Sequence, residues 1–205
     1  MKKLLLLSLL FIRFLCDAQQ FIPQLNWQKI FGGTNSDYAV SIIKTEDNGF
    51  LIGGSSGSGI SGNKTVINQG EDDYWIIKLR ANGSIEWQKN FGGSSSDNLR
   101  MICKSKDGGY FIGGVSDSPI SDDKTVNSYG NYDYWVIKIN KDGVIQWQKS
   151  LGGSDLDNLE SICETTDGGC ILGGYSFSNI SGVKTENSKG EYDYWIVKLN
   201  SNGNI

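Results

Sequence analysis

Asp73-Tyr74-Trp75-Ile76-Ile77-Lys78-Leu79, followed after a short turn by Ile85-Glu86-Trp87-Gln88-Lys89-Asn90-Phe91-Gly92-Gly93, decides the fold, because the chain writes it more than once. Asp133-Tyr134-Trp135 and Asp193-Tyr194-Trp195 return at steps of 60 residues, as do Trp27-Gln28-Lys29 and Trp147-Gln148-Lys149 around Trp87. Trp27, Trp75, Trp87, Trp135, Trp147 and Trp195 are all 6 tryptophans of the protein. The same step relates Asp37, Asp97 and Asp157, the turn residues Asp47, Asp107 and Asp167, and the pairs Lys64-Thr65, Lys124-Thr125 and Lys184-Thr185. A fixed period of this length with no gap is the mark of a repeat architecture. The units run 27–86, 87–146 and 147–205.

Each unit contains four strand-like runs. In the first they are Ala39–Thr45, Phe50–Ser56, Tyr74–Arg80 and Ile85–Phe91. Asp107-Gly108 and Asp167-Gly168, with Asp47-Asn48-Gly49 in the first copy, are hairpin signals between the first two runs. Phe50-Leu51-Ile52 is apolar without alternation, which predicts a strand covered on both faces. Trp75, Ile77 and Leu79 share one face of the third run, and Tyr74, Ile76 and Lys78 the other. Lys29, Lys89 and Lys149 stand where an exposed sheet edge needs a charge against pairing with another chain. The prediction is an all-β protein of three four-stranded antiparallel blades of a β-propeller, stacked face to face as an incomplete ring or fragment. The 27 glycines and 2 prolines among 205 residues agree with many tight turns and short strands.

Residues 1–18 read as an export signal, with Lys2 and Lys3 ahead of an apolar run from Leu4 to Leu15. Cleavage is expected after Ala18 or Gln19, leaving 19–26 as a linker before the first repeat. Cys16 as a lipoprotein site is the rival reading, against which Arg13-Phe14-Leu15 fails to supply the small residues wanted before it. No later apolar stretch is long enough to cross a membrane. The net charge of −4, more acidic once the signal is gone, gives no bias toward nucleic acid.

Histidine is absent, which removes the commonest general base and the commonest metal ligand. Only Arg80 and Arg100 remain after the signal, too few for the arginine cluster that sialidase-like propellers use on a carboxylate, although Thr45/Asp47, Ser105/Asp107 and Thr165/Asp167 partly match their Asp-box turn. No pair of carboxylates stands out as a glycosidase couple. An enzyme is not expected, and neither is a cofactor. Calcium loops place oxygen ligands at alternate positions, which only Asp155 and Asp157 approach, so capping of turns is the expected role of Asp37, Asp97 and Asp157. Zinc lacks its ligands, with no histidine and no Cys-x-x-Cys. Cys163 and Cys170 flank the Asp167-Gly168 turn, where export would permit a cross-hairpin disulfide; spacing alone does not fix the pairing, and Cys103 would be left as a small buried residue. The six tryptophans are expected in the core rather than on a sugar-binding surface.

The run from Asp73 to Leu79, then Gly83 to Gly93, Asp97, and Asp107-Gly108-Gly109-Tyr110-Phe111-Ile112-Gly113-Gly114 resembles the SBBP repeat, a bacterial β-propeller repeat. The Ser-Gly-x-Lys-Thr-x-Asn loop at Ser181 to Asn187 is similar to loops of secreted repeat proteins of Bacteroidota, a resemblance that implies export, often with a type IX secretion signal, and no catalytic residues to carry over.

The long polar loops Gly57–Asp73, Asp117–Asp133 and Phe177–Asp193 are the expected contact surface, with Lys64, Thr65, Lys124, Thr125, Lys184 and Thr185 as candidate binding residues for a protein or glycan. A secreted or cell-surface binding module is the first functional expectation; a scaffold or spacer of a larger exported protein is the second. Three repeats are few for a propeller. Either the sequence is part of a longer gene product, or two copies self-associate into a six-bladed ring, with Trp27–Phe31 of one completing the last blade of the other.

Overall fold

The computed structural model describes residues 26–205; the signal peptide and most of the linker expected from the sequence lie outside them. Eleven strands follow in order: β1 Asp37–Lys44, β2 Phe50–Ser56, β3 Asp73–Leu79, β4 Ile85–Phe91, β5 Asp97–Lys104, β6 Tyr110–Ser116, β7 Asp133–Ile139, β8 Ile145–Leu151, β9 Asp157–Glu164, β10 Cys170–Ser176 and β11 Asp193–Leu199. No helix occurs among the described residues. Strands β1–β4 and β5–β8 form two four-stranded antiparallel meanders, and β9–β11 a three-stranded one. The expected third four-stranded sheet is therefore one strand short among the described residues, which reach only Ile205, the counterpart of Ile85 and Ile145 at which β4 and β8 begin. The sheets also run out of phase with the repeat as counted from Trp27, since Trp87 and Trp147 sit on the last strand of the preceding sheet.

Alternation along β3 builds the core. Tyr74 and Ile76 point toward the second sheet and join a cluster with Leu99, Ile102, Ile112 and Trp135. Trp75, Ile77 and Leu79 point the other way, onto Phe31, Phe50, Ile52 and Ile85. A third cluster, with Phe111, Tyr134, Leu159 and Leu172, fills the space between the second and third sheets. Every residue of β6 and β7 is buried because both faces of the middle sheet are covered. The innermost strand of each later sheet, β5 or β9, lies across the face of the sheet before it.

Gly53 and Gly113 make that approach close. A Cβ on Gly53 would stand 2.5 Å from Leu99 Cδ2, and one on Gly113 2.8 Å from Ile162 Cδ1, so a side chain there would push two sheets apart. Backbone bonds tie successive copies as well: Leu99 N donates to Ser55 Oγ at 3.0 Å and Ile102 N to Ser41 Oγ at 3.1 Å. Bulges between Ala39 and Ser41 and between Leu99 and Met101 bend the inner strands at matching positions.

Candidate functional site

The residues singled out from the sequence converge on one arrangement, repeated in each sheet. In the first copy Asp37, at the head of β1, accepts hydrogen bonds from Gly33 N, Ser56 Oγ and Ser58 Oγ. Lys64, from the long loop, reaches the same serine with Nζ 2.8 Å from Ser56 Oγ and 5.5 Å from the Trp75 ring centre. In the second copy Asp97 accepts from Gly93 N and Ser118 Oγ, while Lys124 donates to Ser118 O and Ser128 Oγ and lies 5.9 Å from the Trp135 ring. In the third, Asp157 accepts from Gly153 N and Ser178 Oγ, and Lys184 donates to Ser176 Oγ and Ser178 O beside Trp195.

These contacts overturn one expectation from the sequence. Lys64, Lys124 and Lys184 are buried, not presented to a ligand. Their ammonium groups lie over the tryptophan rings and close the loop onto the sheet, because each loop turns back over the end of its own second strand. Desolvation depresses the Lys64 and Lys124 pKa values, opposed by neighbouring aspartates. Thr65, Thr125 and Thr185, one residue on, are exposed.

A serine between a lysine and a carboxylate has the composition of a hydrolytic pair. The Ser56 hydroxyl, however, donates its hydrogen bond to Asp37 and is fully buried, so no substrate reaches it. The arrangement anchors a loop. The turn aspartates are similarly engaged. Asp47 accepts from Thr45 Oγ1 and Gly49 N and pairs with Lys78 at 2.6 Å; Asp107 pairs with Lys138 at 2.7 Å and Asp167 with Lys198 at 2.8 Å. The Lys78 ammonium, then the Thr45 hydroxyl, hold the Asp47 carboxyl well below the usual carboxylate range.

The tryptophans divide by position. Trp75 and Trp135 are buried, Trp87, Trp147 and Trp195 half-buried, and Trp27 exposed, a correction to its core assignment: the Trp27–Phe31 segment belongs to no sheet, and the Trp27 ring rests on Gly83 and Phe50. The cysteine expectation is also corrected. Cys163 stands opposite Ile171 and Cys170 opposite Glu164, so the two sulfurs leave opposite faces of the hairpin, and Cys103, Cys163 and Cys170 are free. Burial pushes the Cys170 thiol up to about 12.

Sequence reading missed Asp73 and Asp133, the first residues of β3 and β7. Both are fully buried, with one carboxylate oxygen taken by Gln69 N and Asn90 Nδ2, or by Tyr129 N, and the other without a hydrogen bond. Desolvation pushes each pKa up to about 6, aided by the charge of Asp97 or Asp157. The signal available was the Asp-Tyr-Trp triplet, whose aspartate is repeated as strictly as its aromatics. Between pH 3.8 and about 6 the folded chain holds protons that the unfolded chain has released, so these groups lower stability as pH rises through that window. The cost is complete above about pH 6 and reaches ~3 kcal/mol per group. Asp133→Asn should therefore raise the melting temperature at pH 7.5 and change it little at pH 4; equal shifts at both values would refute the assignment. The carboxylates held low, such as Asp47, act below that window.

Among the described residues no cluster of three or more His, Cys, Asp or Glu side chains is arranged to hold a metal, and no helix is long and apolar enough to cross a membrane. Among the described residues a groove of about 500 Å³ lies along the side of the stack, at Lys106, Gln146, Trp147 and Ser201, and one further groove lies at each end. One, of about 390 Å³, is lined by Tyr38, Ile42, Gly54 and Trp75 on the first sheet. The other, of about 760 Å³, runs beside β11 past Val183, Thr185, Trp195 and Ile205.

No family model and no curated protein matches the chain. Among solved structures, the chain is similar to a protein of unknown function from Bacteroides caccae, determined at 1.35 Å resolution, with 14% identity and a TM-score of 0.29; the match covers 82% of this chain and 65% of that one.

Proposed function

We propose that the protein is a non-catalytic, exported scaffold built as a row of β-propeller-type blades, whose working surfaces are the two ends of the row. The observation that carries this reading is the fate of the repeated polar side chains. Lys64, Lys124, Lys184, Asp37, Asp97 and Asp157 are spent on fastening loops to sheets. Little repeated charge is left for a ligand, and on the sheets themselves apolar side chains stand exposed on β1 and β11, at Tyr38, Ile42, Tyr194 and Ile196.

A second reading, a binding or adhesion module, has one observation in its favour. Ile60, Ile120 and Ile180 are exposed at the same point of the three long loops, one apolar side chain per copy with which to grip a repetitive partner through avidity. A glycan and peptide array probed with the protein separates the two. The scaffold reading expects no selective signal. Saturable binding that is lost in the triple Ile60→Ser, Ile120→Ser, Ile180→Ser variant would overturn it in favour of the module.

A further inference from the structure

Resting on the scaffold reading, we propose that the partner of each end of this stack is a second copy of the same chain, docked head to tail, with Tyr194 of one copy seated in the groove at Gly54 and Trp75 of the next and Gln28 of the next seated beside β11.

The protein already makes this junction twice within itself. At the first junction Tyr74 is 0% exposed; its hydroxyl donates to Trp135 O at 3.1 Å and its ring lies 4.9 Å from that of Trp135. At the second, Tyr134 is 0% exposed, donates to Trp195 O at 3.1 Å, and its ring lies 4.8 Å from that of Trp195. Tyr194 is the same residue of the third copy and is 93% exposed. The socket that matches Trp135 and Trp195 is at Trp75, and there the structure has an open groove of about 390 Å³. Ile42 repeats the pattern from the other side. Its counterparts Ile102 and Ile162 are 1% and 3% exposed and pack over Gly53 and Gly113, whereas Ile42 is 62% exposed and Gly173 has no such side chain over it.

A separate set of contacts asks for the same placement. Gln88 Oε1 accepts from Trp75 Nε1 at 3.1 Å and from Thr65 N at 3.3 Å, while its Nε2 donates to Asn63 O at 2.7 Å. Gln148 does the same with Trp135, Thr125 and Asp123. In the third sheet the matching groups belong to Trp195, Thr185 and Val183, and they line the groove of about 760 Å³ along β11. The matching glutamine is Gln28, which is exposed. Trp27 is already in position: its ring lies against Gly83 as Trp87 lies against Gly143 and Trp147 against Gly203. The segment Trp27–Phe31 thus occupies the place of the last strand of a preceding sheet; the Ile30 carbonyl is taken by Asn63 Nδ2, and the segment belongs to no sheet, which leaves it to pair with the outer edge of β11. Knob and strand, at different points of the molecule, both require sheet three of one copy against sheet one of another. The contact is heterologous, so it either closes into a ring or propagates.

One departure from strict repetition bears on strength. Ala39 stands where Leu99 and Leu159 are buried, so the junction between copies loses part of the apolar contact made by the internal ones.

Analytical ultracentrifugation of the purified chain tests this. Self-association that strengthens with concentration is expected. Tyr194→Ala, which spoils the knob, and Ile42→Asp, which spoils the opposite face, should each weaken it by about tenfold or more. Both side chains are exposed, and unchanged circular dichroism would confirm folding. Mixed in equal amounts, the two variants should form a one-to-one complex, because one intact knob still meets one intact socket; a face-to-face contact between like ends would not be restored in this way. A wild-type chain that stays monomeric at 100 µM, or self-association indifferent to both variants, would overturn the proposal. A monomer that also gives no signal on the array would sink the docking alone; selective ligand binding would sink the scaffold reading.

Discussion

Trp135→Ala should cost about 3–5 kcal/mol of folding stability, and the same change at Trp27 much less. Trp135 is fully enclosed in the middle sheet, stacked on Tyr74, with Nε1 donating to Gln148 Oε1 at 3.0 Å and the Lys124 ammonium over its ring. Truncation would leave a cavity between two sheets, free the Gln148 side chain, and remove the aromatic surface on which a buried lysine rests. Trp27, exposed and outside any sheet, loses only its contact with Gly83 and Phe50. Urea melts of the two variants measure the contrast. A Trp135→Ala protein as stable as the wild type would mean that the sheets do not pack as described.

Lys124→Met is expected to rival it, also at about 3–5 kcal/mol, although methionine matches the lysine stem in size and fits an apolar site. The cost lies in what is left behind. Asp97 and Asp133 are fully buried, each with an oxygen that has no hydrogen bond, and the Lys124 ammonium is the cation nearest to offset them. Removing it leaves a buried negative charge without compensation. It also frees the loop carbonyl of Ser118 and the hydroxyl of Ser128. Adding Asp97→Asn should recover part of the loss, a coupling that a double-mutant cycle reads directly. If Lys124→Met were neutral, the lysine would be a surface group after all.

That lysine marks where sequence reading reached its limit. The 60-residue step placed the strands well: Phe50–Ser56 and Ile85–Phe91 fall where the apolar runs and turn signals put them, and Tyr74–Arg80 lies within one residue of β3. Turn chemistry was equally legible, since Asp47 and Gly49 leave few conformations open. The failures concern groups whose environment is made by a partner distant in sequence. Lys124 sits in a polar loop and reads as solvated; only the serine six residues back and the tryptophan eleven residues on, folded over it, make it internal. Asp73 and Asp133 read as ordinary strand ends, and their burial comes from the glycine pair and loop of the neighbouring copy. Trp27 shares its triplet with Trp87, and differs only in lacking a sheet to belong to.

The bonds that link Ser41 to Ile102, Ser55 to Leu99 and Tyr74 to the carbonyl of Trp135 span 61, 44 and 61 residues, and each joins one sheet to the next. Among the described residues the main contacts between strands run within a sheet or between successive sheets, so each sheet leans on its immediate neighbours, as coins in a roll do. The middle member, with company on both sides, should be the last to melt, and the outer two should open first. Whatever occupies the ends then does more than lengthen the row: it turns outer members into middle ones, and raises the cooperativity of the whole.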